Sequence, residues 1–192
     1  MSKHIMLDHE TLGTTADAVI LSIGAVKFDL ESGAIEDQGF YASISIESNL
    51  EYGRRIQEDT LIWWFKQGPE AQGVYHEEKI ALPTALENFS DWVGTDDYTI
   101  WAKGPDFDTA MLAHAYSQAR METPWAFWNS RCVRTYMDLP GARAVKVPFK
   151  GVKHNALADA FHQAETVCAI HKALFGKAAA PADKTAKKGT KT

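Results

Sequence analysis

Five side chains in three short strings have the types and spacing for metal-assisted hydrolysis. In Leu7-Asp8-His9-Glu10-Thr11-Leu12-Gly13 two carboxylates stand two residues apart at the end of an apolar run. Along an extended strand residues i and i+2 point to the same side, so Asp8 and Glu10 converge while His9 faces away. Carboxylate oxygens suit hard divalent cations such as Mg²⁺ or Mn²⁺, although D-x-E alone describes ordinary surface charge more often than a site. The second string is Asp106-Phe107-Asp108. Asp108 is expected to turn back toward a strand end from the first turn of a helix, whereas Asp106, beside Pro105, can simply cap that helix. In the third, His154-Asn155-Ala156-Leu157-Ala158-Asp159, a carboxylate sits just over one turn into a helix and a histidine just before it. Imidazole, with an ordinary pKa of ~6.5, suits taking a proton from water, but a lone histidine before a helix is more often a surface or hydrogen-bonding residue.

These strings need elements to hold them. Residues 4–8, 19–28 (VILSIGAVKF) and 40–46 (FYASISI) read as strands, an antiparallel trio that opens the fold. Residues 60–67 (TLIWWFKQ) lie in a helix, and Pro83 starts another whose Leu86, Phe89, Trp92 and Val93 recur at three and four. A fourth strand is expected over 98–102, a helix from Pro105 to about Ala119, and a final helix capped by Asn155 that runs to about Phe175, with an irregular stretch before it. Antiparallel strands followed by alternating strand and helix imply a mixed sheet covered by helices on both faces.

The chain has 192 residues, 45% of them hydrophobic, which suits one compact domain over 1–176 and a Lys-rich disordered tail over 177–192. No apolar run approaches the ~18 residues that span a bilayer, and no basic leader precedes the first strand, so a cytoplasmic protein without a membrane partner is expected. Cys132 and Cys168 are too few for a disulfide framework and read as reduced thiols. His76, His114, His162 and His171 complete no zinc spacing. The net charge of −5 looks wrong for a phosphate-bearing partner. However, the tail holds five Lys and one Asp, leaving −9 on residues 1–176, part of which is a carboxylate cluster that cations can neutralise.

Taken together and in order, D-x-E, F-D and H-x-x-x-x-D resemble the DEDDh family of 3'→5' exonucleases, which includes proofreading subunits, ribonuclease T and oligoribonuclease. More narrowly, MLDHETLG, LIWWFKQ and RCVRTYMDL are similar to the small single-domain branch of phage exonuclease A and related bacterial exoribonucleases. The resemblance covers about residues 4–175. It implies an α/β, ribonuclease H-like mixed five-stranded sheet, its first three strands antiparallel and the rest parallel, with helices on both faces. It implies also that Asp8, Glu10, Asp108 and Asp159 hold two ions, Mg²⁺ or Mn²⁺, with His154 as general base. Thr11 and Leu12 would touch the terminal nucleotide, Leu12 as an apolar wedge, although core packing of Leu12 is nearly as good a reading. The implied activity is removal of nucleoside 5'-monophosphates from the 3' end of single-stranded RNA or DNA, with a slight lean to RNA, by a protein that could form a homodimer. A catalytically silent nucleic-acid-binding module and a metal-dependent small-molecule phosphatase or nucleotidase are the rival readings.

Two segments stay open. Cys132 stands where that branch suggests an acidic residue, and Arg131 and Arg134 could meet phosphates or form surface ion pairs equally well. Trp63, Trp64 and Phe65 cannot all face one core, because consecutive helical residues point about 100° apart. At least one must be partly exposed, as a stacking platform or, more simply, as packing against a neighbour.

Overall fold

A computed structural model describes residues 4–176; the tail expected over 177–192 lies outside them. Five strands form one sheet in the order β3-β2-β1-β4-β5. They are β1 (His4–Thr11), β2 (Ile20–Phe28), β3 (Phe40–Ser43), β4 (Thr99–Ala102) and β5 (Ser130–Cys132). As expected, β2 pairs antiparallel with both β1 and β3, while β4 pairs parallel with β1 and β5 parallel with β4. The helices are α1 (Ile46–Glu51), α2 (Glu58–Phe65), α3 (Leu82–Val93), α4 (Asp108–Gln118), α5 (Val133–Met137) and α6 (Ala156–Phe175).

The alternation of β1 divides the core. Ile5 and Leu7 join Ile23, Leu86, Phe89 and Leu112 under α3 and α4, whereas Met6 joins Val26, Trp101, Ala164 and Val167 under α6. Asp8 and Glu10 share the parity of Met6 and therefore look toward α6; His9 shares that of Leu7 and looks toward α4. Pairing of β1 with β4 ends at Leu7↔Ala102, while pairing with β2 continues past Glu10. The two carboxylates thus lie where β1 outruns its parallel neighbour, in the notch at the carboxyl ends of the parallel strands that open α/β sheets use for ligands.

Gly24 lies opposite Asp8 in the β1–β2 register. A Cβ there would run into the backbone of Ala156 and Leu157, so only glycine lets the start of α6 rest directly on the sheet. Asn155 caps that helix as expected, its Oδ1 accepting from Ala158 N–H at 3.0 Å.

Three expectations need correction. The strand expected through Ile46 stops at Ser43, because Ser45 takes extended backbone and its side chain accepts from Ser48 N–H, starting α1. The short β5 and α5 arise within the stretch read as irregular; three half-exposed residues carry no periodic signal. Finally, the helix expected from Pro105 begins at Asp108, and Asp106 does not cap it. Phe107 and Asp108 instead donate their N–H groups to Gly104 O, and Gly104 makes that turn with a φ of +121°.

Candidate active site

Oxygens of Asp8, Glu10 and Asp159 lie within 4.8 Å of one another. The pleat of β1 supplies the first two, and the close seat of α6 on Gly24 brings the third. Asp159, in the first turn of α6, also accepts the backbone N–H of His154 at 3.0 Å. Gln163, one turn further along α6 and buried, donates from Nε2 to Asp8 Oδ1 at 2.7 Å. Sequence reading missed Gln163, although its i+4 spacing from Asp159 puts both on one helix face.

Asp108 reaches the site from the opposite layer. It is 3% exposed and lies 3.9 Å from His9 Nδ1. It stands outside the tight trio, yet its charge, like those of Glu10 and Asp159, acts on Asp8.

Crowded and buried, these carboxylates resist ionisation. Burial, then the charges of Asp108, Glu10 and Asp159, raise Asp8 well above the usual carboxylate range. Burial followed by Asp159 and Asp108 pushes Glu10 up to about 8, and burial pushes Asp108 to about 7 and raises Asp159. Four carboxylates with so few donors between them fit cations that would replace the missing hydrogen bonds and cancel the repulsion. His9 is the converse. Burial, then the Arg54 charge, depress it to about 3, so it stays neutral, and neither ring nitrogen has a hydrogen-bond partner among the described residues.

His154 occupies the turn before α6 with a φ of +62°, which is uncommon for a residue with a Cβ. Its ring meets Trp63 edge to face, with centroids 4.9 Å apart at 87°. Trp64 is buried and donates its indole N–H to Thr11 O at 2.8 Å, whereas Trp63 is 40% exposed and Phe65 73%. The tryptophan pair therefore divides its work between holding the end of β1 and facing His154. Beside Glu10 a cleft of about 410 Å³ is lined by Thr11, Thr14, Trp63, Trp64 and Phe107. Leu12 is 1% exposed and packs with Val19, Leu21 and Trp64.

The 3'-5' exoribonuclease Rv2179c-like domain matches residues 3–171. The chain belongs to that family. It is 24% identical over 158 residues to an exodeoxyribonuclease of Enterobacteria phage T4, covering 69% of this chain and 70% of the relative. Among solved structures, the nuclease domain of 3'hExo, a DEDDh family member bound to rAMP, matches with a TM-score of 0.61 at 13% identity, over 91% of this chain and 94% of that one. The zinc-bound complex of E. coli ExoI with single-stranded DNA matches with a TM-score of 0.66 at 11% identity, over 91% of this chain and 41% of the longer one. By family the chain is thus a 3'→5' exonuclease, and its fold is shared with the nuclease domain of 3'hExo. Among its described residues no helix is long and apolar enough to cross a membrane.

Proposed function

We propose that the protein hydrolyses the 3'-terminal phosphodiester of single-stranded nucleic acid and releases nucleoside 5'-monophosphates, with RNA the preferred strand. The observation that carries this is the convergence of Asp8, Glu10 and Asp159 within 4.8 Å, beside a cleft large enough for a nucleotide. Asp8, Glu10, Asp108 and Asp159 would hold two Mg²⁺ or Mn²⁺ ions. Bound there, such ions would lower the pKa of water and neutralise charge on the phosphoryl oxygens. His154, on the turn beside Asp159, accepts the proton of the attacking water. As the new P–O bond forms the P–O3' bond breaks, and the departing 3'-oxygen gains a proton from solvent. Thr11 contacts the terminal nucleotide from the wall of the cleft, whereas Leu12, expected beside it as a wedge, is buried against Val19, Leu21 and Trp64 and supports that wall instead of touching the nucleotide.

The lean to RNA is supported by the family's description as an exoribonuclease; the phage T4 relative, an exodeoxyribonuclease, weighs for DNA. The group that distinguishes the two strands is the 2'-hydroxyl, so the preference turns on a contact to it. Within the same reading, residues 1–176 form the nuclease domain and two chains form a homodimer, a state that sedimentation would resolve. The test of function is to incubate 5'-labelled RNA and DNA oligomers with Mn²⁺, Mg²⁺ or EDTA. Stepwise shortening that EDTA stops is expected, faster on RNA. No shortening of either strand would favour the silent binding module, and phosphate release from mononucleotides alone would favour the phosphatase.

A further inference from the structure

Arg131 and Arg134 look alike in the sequence and differ in space. Arg131 Nη1 donates to Trp128 O at 3.1 Å and to Ser130 O at 2.9 Å, so its guanidinium is engaged by its own turn. Arg134, exposed on α5, reaches over Gly104, where its Nη1 fills the space a Cβ would take. That is the turn whose carbonyl accepts the N–H groups of Phe107 and Asp108 and so presents Asp108 to the site. Asp106 Oδ1 approaches the same space to 3.3 Å. Yet among the described residues the Arg134 side chain makes no hydrogen bond and no ion pair.

A guanidinium lying over the turn that presents Asp108, with Asp106 near and not bonded to it, keeps its planar fork of donors free. Two non-bridging oxygens of a phosphodiester match that fork, and an exposed carboxylate partner would add little. We propose that Arg134 is a substrate-binding residue that grips a backbone phosphodiester of the single strand entering the site, whereas Arg131 is structural. Lys103, the residue before Gly104, adds a second exposed cation beside that turn. The assignment rests on the exonuclease reading for its substrate and on the geometry for its residue.

The test compares wild type, Arg134→Ala, Arg134→Lys and Arg131→Ala across a salt series. Two quantities are followed: kcat/KM on a 5'-labelled single-stranded oligomer in Mn²⁺, and anisotropy of a fluorescent oligomer in EDTA, where turnover stops. Removing one phosphate contact should lower the slope of log affinity against log salt by ~0.7 and weaken binding by roughly 3- to 10-fold near 0.1 M salt. Arg134→Lys should restore the slope, because the charge returns, and Arg131→Ala should leave it unchanged. Equal slopes in wild type and Arg134→Ala, or an equal loss in Arg131→Ala, would overturn the proposal. Unchanged thermal unfolding of Arg134→Ala separates lost binding from lost fold. Wild-type protein that shortens no oligomer at all would defeat the exonuclease reading instead, and the anisotropy slope would still report on Arg134.

Discussion

The two sides of the site are built by different means. On the β1 side, Asp8 and Glu10 project from a strand hydrogen-bonded to β2 along its length, and the pleat alone fixes their direction. On the α6 side, Asp159 depends on a helix that reaches the sheet only because Gly24 has no side chain, and His154 sits on a turn with positive φ. The His154 ring is oriented by the edge of Trp63, and its backbone rather than its imidazole is tied to Asp159. On the proposed reading, the difference separates rigid carboxylate ligands from a proton acceptor whose side chain keeps freedom to meet water.

That comparison can be broken most severely at the carboxylates. Asp8→Ala and Asp159→Ala should both reduce turnover to background and weaken Mn²⁺ binding; a mutant on either side that keeps near-normal kcat would show that only the other side holds metal. His154→Ala should come next, lowering kcat by ~10²- to 10⁴-fold with Mn²⁺ affinity preserved. Loss of Mn²⁺ binding in that variant, read by calorimetry, would make His154 a ligand and erase the distinction. Gln163→Leu should cost less, roughly 10- to 100-fold in Mn²⁺ affinity or kcat, because it removes the hydrogen bond that orients Asp8 and leaves the ligand in place. Wild-type affinity and rate in Gln163→Leu would mean that the strand alone orients Asp8.

The smallest effect is on stability without metal. Glu10 at about 8 and Asp108 at about 7 are protonated in the fold over a range where the unfolded chain has already ionised, so their contribution is lost as pH rises. His9, depressed from 6.5 to about 3, acts in the opposite sense: its contribution is lost as pH falls below 6.5. The two trends oppose each other below pH 6.5 and only the carboxylates remain above it. In EDTA the Tm should therefore fall between pH 6.5 and 8, and saturating Mn²⁺ should remove the fall. A Tm that is flat in EDTA across that window would show that the four carboxylates are less crowded than their positions imply.

The parts of this protein that could be read from its residues are those governed by short-range rules. Strand alternation puts Asp8 beside Glu10, Asn155 announces the start of α6, and the limit on consecutive helical side chains requires one of Trp63, Trp64 and Phe65 to be partly exposed, although only the fold shows that Trp64 is the buried one. The motif order made the family legible, and the sheet came with it. Ser45, by contrast, looked like strand because its neighbours alternate, and only its side-chain bond to Ser48 N–H turns the chain into α1. The three residues of β5 had no pattern of their own and exist as a strand because β4 offers them an edge.

The sequence by itself determined which side chains could ligate a cation and which faces of β1 and α6 they occupy, because those follow from backbone periods a few residues long. Tertiary structure decided what those side chains meet. Gln163 reaches Asp8 across 155 residues, Trp63 finds His154 from another element, and Asp108 arrives beside the buried His9 from the opposite layer. The difference between Arg131 and Arg134 belongs with these, since it depends on which turn each guanidinium meets. Such contacts are set by how helices settle on a sheet, and no local rule of the chain encodes them.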